Sequence, residues 1–190
     1  MDDFSIDIDR CLAVLHVGGL ILYPTDTVWG IGCDATNKVA VAKIYELKQR
    51  AESKKMIVLM SSEKEVMQYV THLDLSLFDY LEGTTKPTTV IYEGVIGLAE
   101  NIVGEEGDVA IRICEDAFCK HLIKRFKKPI VSTSANISST PTPTFFSEIG
   151  ETIISGVDYV VGYRQNDHAP KEASAVIKWT DKGDIIVLRP

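Results

Sequence analysis

The chain of 190 residues alternates short apolar runs with amphipathic segments, and this alternation constrains its fold more than any other feature. Each run is far shorter than the roughly 20 residues of a membrane helix, and polar residues bound it as they bound a buried strand. The intervening segments repeat apolar residues every three or four positions, as helices packed on a sheet do. The sequence therefore predicts the α/β class, with a mixed sheet covered by helices. The main strand-like runs cover residues 20–23, 56–60, 90–93, 109–113 and 129–131.

Length and composition are those of one globular domain. Domains usually contain roughly 100–200 residues, and the 45% hydrophobic and 25% charged residues are ordinary for a folded chain. We therefore expect a single domain over residues 1–190. The acidic start of the chain lacks the basic and apolar segments of a secretory signal, which predicts a cytoplasmic protein that does not contact a membrane.

Charge and metal-ligand spacing argue against two classes of function, nucleic-acid binding over a broad surface and metal binding. The net charge of −7 argues against a broad nucleic-acid surface, since such surfaces cluster Lys and Arg, although a local basic cavity stays open. The four histidines and four cysteines show no metal-ligand spacing. We therefore predict no protein-built metal site.

The stretch 20–34 is the first candidate for a ligand site. An apolar strand ends at Pro24, which lacks a backbone donor, and the hydroxyls of Thr25 and Thr27 follow at the strand end. Gly30 and Gly32 let the backbone approach a ligand closely. The stretch indicates a small polar pocket floor, and the plainer alternative is an ordinary strand and loop with chance hydroxyls.

A cationic run and a lone arginine indicate an anionic ligand. Lys48, Arg50, Lys54 and Lys55 lie between a predicted helix end and a buried strand. A charge run is usually a solvated face, but sheet edges of α/β folds hold ligands, and a polyphosphate needs such cations. Arg112 interrupts an apolar strand, so it meets either a carboxylate of the protein or the carboxylate or phosphate of a ligand.

No covalent catalysis is evident in the sequence. Ser134 lies outside any G-x-S-x-G elbow and has no histidine near it. Two local features complete the prediction: Asp7 or Asp9 is placed to cap the first helix, and the segment 162–172 lacks adjacent apolar residues, which is typical of a mobile loop.

Taken together, the motifs resemble the YrdC family of threonylcarbamoyl-AMP synthases in its single-domain form. The resemblance runs in order over nearly the whole chain, through YPTDTVWGIGCD, LKQR, VAIRI, VSTSANIS, PTPT and the closing LRP. It implies a twisted α/β fold with a deep basic cavity. It also implies an enzyme that makes threonylcarbamoyl-AMP and pyrophosphate from L-threonine, bicarbonate and ATP, for threonylcarbamoyladenosine modification of tRNA.

The resemblance also assigns site residues, a cofactor and partners. Catalysis rests on positioning and charge stabilisation rather than on a nucleophile, with Lys48 and Arg50 foremost. Mg²⁺ accompanies ATP, a downstream tRNA-modification transferase receives the product, and RNA is a further partner to consider. The residues implied for ATP are Lys48, Arg50, Lys54, Ser134, Asn136, Thr142 and Arg189. Those implied for threonine are Thr27, Arg112, Ser132 and Ser174.

Two alternatives remain on the sequence alone. One is an RNA-binding module of the same fold, and the other is a carbamoyl-adenylate-forming domain like that of hydrogenase maturation proteins. The chain departs from the family pattern at Met56, Leu59, Lys86 and Ala175.

Overall fold

The computed structural model describes residues 4–169, 171–180 and 184–190. Its helices are α1 (Ser5–His16), α2 (Lys38–Leu47), α3 (Glu63–Tyr69), α4 (Ser76–Glu82), α5 (Ala117–Phe126) and α6 (Glu151–Ser155). Single 3-10 turns cover Glu100–Ile102 and Phe146–Glu148. The strands are β1 (Ile21–Tyr23), β2 (Gly30–Gly32), β3 (Ile57–Met60), β4 (Thr88–Tyr92), β5 (Val109–Ile113), β6 (Ile130–Ser134), β7 (Tyr159–Val160), β8 (Ala175–Trp179) and β9 (Ile185–Arg189).

The strands form one mixed sheet in the order β7-β1-β2-β6-β3-β5-β4-β8-β9. Parallel pairs join β1 to β7, β3 to β5 and β4 to β8, and the other neighbours run antiparallel. The predicted α/β class with a mixed, helix-covered sheet is confirmed. Strand β2 was not predicted, because its two glycines mask the strand pattern.

The register of the central strands brings one set of side chains to the same face. Ile57 on β3 pairs with Ala110 on β5 and with Ser132 on β6, and Ala110 pairs in turn with Ile91 on β4. Arg112 lies two residues after Ala110 on β5. Its side chain is therefore on the same face, since side chains alternate along a strand. Hydroxyl and guanidinium groups of separate strands therefore share one face of the sheet.

The core is formed by apolar side chains from nearly every element. It includes residues of α1, of the central strands and of α5, where Phe118 and Leu122 are fully buried. All four cysteines are buried and free, as expected for reduced core thiols. No helix in the described part of the chain is both long enough and apolar enough to cross a bilayer.

Asp7 does not cap the first helix, which corrects one prediction. The helix begins at Ser5, and Asp7 lies within its first turn. Its carboxylate instead accepts hydrogen bonds from the Tyr159 hydroxyl at 2.6 Å, the Gly162 N–H at 3.0 Å and the Tyr163 N–H at 2.9 Å. Asp7 therefore anchors the start of the 162–172 segment to α1.

Candidate functional site

A cavity of about 390 Å³ lies on the face of the sheet that carries Arg112. Among the described residues, its charged lining consists of Arg50, Lys55, Arg112, Arg189 and one carboxylate, Asp108. Cations therefore outnumber acids in this cavity although the whole chain is acidic. The predicted site residues that it brings together are Thr27, Arg50, Arg112, Ser132, Ser134, Thr142, Ser174 and Arg189.

A larger cavity, of about 580 Å³, lies on the opposite face of β4 and β5. Its charged lining is Asp26, Glu63, Glu82, Glu115 and one lysine. Such a lining repels an anion, so the smaller cavity is the better candidate for a phosphate or carboxylate ligand.

Arg112 is held at one end of the smaller cavity. It is only 3% exposed, and its Nη2 lies 3.0 Å from Asp26 Oδ1 and 3.2 Å from Thr27 Oγ1. Its buried Nε has no partner among the described groups. An unpaired buried donor is costly, so this N–H is available to an anion in the cavity. Arg112 therefore meets a protein carboxylate, which is one of the two alternatives from the sequence, and it also lines the cavity.

The Thr27 hydroxyl is oriented by Thr25. Thr25 Oγ1 donates to the Val28 carbonyl at 2.8 Å, and it lies 3.0 Å from Thr27 Oγ1. Because a hydroxyl has one proton, Thr25 accepts from Thr27 in this pair. Thr27 Oγ1 in turn accepts from Arg112, which fixes its direction at the cavity wall.

Arg189 reaches the same end of the cavity from the edge strand β9. Its Nε donates to the Ser174 carbonyl at 2.9 Å, and its Nη2 lies 3.3 Å from Ser174 Oγ. Ser174 Oγ is 2.8 Å from the buried Thr89 hydroxyl. Desolvation lowers the pKa of Arg189, and the nearby Arg112 guanidinium lowers it further.

The opposite end of the cavity carries Arg50 and Lys55. Arg50 donates from Nε to the Lys54 carbonyl at 2.7 Å and from Nη2 to the Lys55 carbonyl at 2.8 Å. Desolvation lowers the pKa of Arg50. The parallel register of β3 and β5 continues to place Lys55 opposite Asp108, and these two residues form one row across the sheet. Asp108 lies four residues before Arg112, so this row is about 13 Å from the row of Arg112.

Lys48, Lys54 and Asn136 are not brought into the cavity lining. Lys48 is 1% exposed, and its ammonium donates to the carbonyls of Ser134 and Asn136, the second at 2.6 Å. Burial lowers its pKa to about 8, with a smaller contribution from Arg50. The Asn136 amide donates to the carbonyls of Ile137 and Thr140. Lys48 and Asn136 therefore shape the segment that presents Ser134, and Lys54 is an exposed lysine beside Arg50.

Sequence reasoning missed Asp26 and Asp108 as site residues and did not assign Lys55 to a ligand. Asp26 is paired to Arg112, and the other two line the cavity. The signal available for Asp26 was its place between two threonines at a strand end. Lys55 and Asp108 lie just before β3 and β5, so only the pairing of those strands brings them together.

No nucleophile with an adjacent base is found in the described lining. The hydroxyls of Ser132, Ser134 and Thr142 are present, but neither histidine nor cysteine contributes to it. The described residues also contain no group of three or more His, Cys, Asp or Glu that could hold a metal ion. The arrangement suits binding, positioning and charge stabilisation of anions.

In the described residues, a mixed sheet of nine strands with a cation- and hydroxyl-lined cavity on one face defines an α/β protein with a candidate site for an anionic ligand. The family model Sua5/YciO/YrdC, described as "Telomere recombination", matches residues 13–190. The chain belongs to the Sua5/YciO/YrdC family.

Individual relatives agree with this membership. The chain is 31% identical over 163 residues to the threonylcarbamoyl-AMP synthase of Xanthomonas euvesicatoria, covering 83% of this chain and 86% of that protein. The crystal structure of P. abyssi Sua5 complexed with L-threonine is similar with a TM-score of 0.85 and 23% identity. That match covers 98% of this chain and 54% of the other, so the chain spans about half the length of P. abyssi Sua5. The structure of E. coli YciO matches with a TM-score of 0.80 at 20% identity, over 100% of this chain and 90% of that one.

Proposed function

We propose that this protein is an L-threonylcarbamoyladenylate synthase, which makes threonylcarbamoyl-AMP and pyrophosphate from L-threonine, bicarbonate and ATP. Relatives named threonylcarbamoyl-AMP synthase over most of the chain support the proposal. The observation that carries it is the cavity with two separated polar ends, one at Arg112 and Thr27 and one at Arg50 and Lys55.

Each end suits one substrate. Arg112 offers an unpaired N–H beside the oriented Thr27 hydroxyl, which matches the carboxylate and hydroxyl of threonine. Arg50 and Lys55, with the hydroxyls of Ser134 and Thr142, match the phosphates of ATP. The separation of about 13 Å between the two rows leaves room for the α-phosphate between them.

The reaction needs no enzyme nucleophile. The threonine amine forms a bond to the carbon of bicarbonate and releases water, which leaves a carbamate. A carbamate oxygen then attacks the α-phosphorus, and the bond to the pyrophosphate oxygen breaks. Holding the reactants in line accelerates both steps, and fixed cations stabilise the negative charge that develops on pyrophosphate.

Mg²⁺ is proposed to enter with the nucleotide rather than to occupy a protein-built site. Mg²⁺ prefers oxygen ligands and commonly bridges one or two carboxylates and substrate phosphates. Asp108 is the carboxylate that lines this cavity, and it would hold the ion together with the phosphates. The ion would neutralise phosphate charge there.

The product is an activated acyl group, so the proposed role includes handing it to a tRNA-modification transferase in the cytoplasm. Direct contact with RNA is a second candidate role. The cations that line the cavity support RNA contact at the cavity itself, whereas the acidic net charge argues against a broad RNA-binding surface. RNA binding at this site would weaken with added salt and with the loss of Arg50.

The test is ATP-dependent pyrophosphate release by the purified protein. Threonine and bicarbonate together are expected to stimulate release strongly, while either alone is not. Carbamoyl phosphate in place of both is expected to give no AMP. Pyrophosphate release that does not depend on threonine would reject the synthase function. AMP formation with carbamoyl phosphate would favour a carbamoyl-adenylate-forming domain.

A further inference from the structure

Two arginines from distant parts of the sequence converge at one end of the cavity. Arg112 on β5 and Arg189 on β9 fall in one row across the sheet, because Val176 pairs with both Thr89 and Arg189. The register of β4 and β5 continues to place Thr89 opposite Arg112. Strands lie about 4.8 Å apart, so three spacings separate the two Cα atoms by about 14 Å.

Hydrogen bonds show that the Arg189 side chain bridges part of this gap. Its Nη2 lies 3.3 Å from Ser174 Oγ, which lies 2.8 Å from Thr89 Oγ1. Thr89 is the sheet neighbour of Arg112. The guanidinium of Arg189 is therefore turned inward from the edge strand to the end of the cavity that Arg112 occupies.

The charges at this end are not balanced by the described part of the protein. Asp26 pairs with Arg112 at 3.0 Å, whereas Arg189 makes no ion pair within the described ranges. Two guanidinium groups repel each other unless anions lie between them. One carboxylate on the ligand would satisfy the Arg112 donor, and a second negative group would satisfy Arg189.

The carbamate formed from threonine carries this pair of charges. Free threonine has a single carboxylate, whereas N-carboxythreonine has two, separated only by Cα and the nitrogen. The triphosphate end of the cavity, at Lys55 and Asp108, lies about 13 Å from the Arg112 row. A short dianion fits two neighbouring arginines, while the β- and γ-phosphates of the nucleotide lie toward Lys55 and the α-phosphate lies between the two ends.

We propose that Arg189 holds the carbamate group of N-carboxythreonine while Arg112 holds its carboxylate. The inference rests on the proposed synthase function and gives Arg189 a role in bicarbonate capture, in place of the ATP contact implied by the family resemblance. In this step the amine lone pair bonds to the bicarbonate carbon, the C–OH bond breaks, and the hydroxyl leaves as water with one amine proton. Arg189 stabilises the negative charge that remains on the new N-carboxylate.

Steady-state kinetics of pyrophosphate release test the proposal. Arg189→Gln is expected to raise KM for bicarbonate at least tenfold and to leave KM for ATP within twofold. Arg50→Gln, at the other end of the cavity, is expected to raise KM for ATP instead. Arg125→Gln is the matched surface control, since Arg125 is exposed and forms an ion pair with the exposed Asp9. This variant should change neither KM value.

Calorimetry gives a second readout that does not need turnover. Bicarbonate is expected to tighten threonine binding to the wild-type protein and to have no such effect on Arg189→Gln, whereas threonine binding without bicarbonate stays similar. Arg189→Lys keeps the charge and should retain part of the effect, so it replaces Arg189→Gln if that variant fails to fold.

The outcomes separate this proposal from the proposed function. If Arg189→Gln raises KM for ATP and leaves the bicarbonate dependence unchanged, the assignment of Arg189 is wrong and the synthase stands. If the wild-type protein releases no pyrophosphate with threonine and bicarbonate, the synthase function itself is rejected.

Discussion

At the scale of single residues, Lys48 and Arg50 have different surroundings although they lie two positions apart. The family resemblance implies phosphate contacts for both residues, and of these two Arg50 is the one in the cavity lining. The buried Lys48 ammonium is not part of the cavity lining and donates to the backbone carbonyls of Ser134 and Asn136. Its contribution is to hold the segment of Ser134 and Asn136 in place, and it does so with a buried charge.

The pH dependence of stability tests this placement. The pKa of Lys48 falls from 10.5 in the unfolded chain to about 8 in the folded one. The unfolded state therefore binds more protons between these values, and the cost of burying the charge shrinks as pH rises through them. Relative to Lys48→Met, the wild-type protein should gain about 2 kcal/mol between pH 7 and pH 9.5.

Urea unfolding of the wild-type protein and of Lys48→Met at pH 7 and pH 9.5 measures the difference in their free energies of unfolding. Groups that titrate in both proteins contribute equally and cancel in this difference. A difference that stays constant with pH would contradict a lowered pKa for Lys48. If the stability of the wild-type protein relative to Lys48→Met instead falls as pH rises, the folded protein favours the charged form of Lys48.

At the scale of elements, the described part of the 162–172 segment is bonded to the rest of the fold at three points. Asp7 on α1 accepts from Gly162 and Tyr163, and Arg164 forms a largely buried ion pair with Asp116 at 2.8 Å. Lys171 donates to the Thr25 carbonyl at 3.1 Å. Arg164 and Lys171, in the segment predicted to be a mobile loop, therefore both contact the strand end that presents Thr27.

Asp7→Ala is expected to loosen this segment. Removing the carboxylate leaves two backbone N–H groups and the Tyr159 hydroxyl without their acceptor, so stability should fall by about 1–3 kcal/mol. Hydrogen exchange should be faster at the amides of residues 162 and 163. Asp9→Ala is the matched control on the same helix, since Asp9 makes an exposed ion pair with Arg125 that is worth less than about 1 kcal/mol. Equal exchange in both variants would refute the anchoring role.

At the scale of the whole molecule, the cavity joins parts of the sheet that are distant in sequence. Its lining comes from the first strand–loop unit, from β3 to β6, and from the last two strands. A ligand that fills it contacts both the sheet centre and the last two strands of the sheet, β8 and β9, so binding stabilises elements that the sheet joins through β4.

Saturation with ATP, threonine and bicarbonate should therefore raise the stability of the entire fold. A ligand at 100 times its Kd adds about 2.7 kcal/mol, which for a chain of this size corresponds to roughly 5–10 °C in Tm. Thermal unfolding measures the shift, and hydrogen exchange should slow in β8 and β9. D-Threonine in place of L-threonine is the control, and an equal shift with it would contradict binding of the amino acid at Arg112 and Thr27.

The residues of the cavity differ in how far the sequence could predict them. Thr27 and Ser134 follow apolar strands, so strand ends with hydroxyls identify them without a structure. Arg112 was recognisable because a charge interrupts an apolar strand. Lys55 and Asp108 carry no such signal, since each is an ordinary charged residue before a strand until the pairing of β3 with β5 brings them together.

The sequence by itself determined the α/β class, the reduced core cysteines and the family, because hydrophobic periodicity and short motifs are local properties of the chain. The tertiary structure decided which charges face the cavity. Lys48 and Arg50 are two residues apart, yet the Lys48 ammonium donates to backbone carbonyls outside the cavity lining, whereas the Arg50 side chain lines the cavity. Strand pairing likewise brings Arg189 into the row of Arg112. Convergence of this kind depends on sheet register over long sequence separations, which local patterns do not encode.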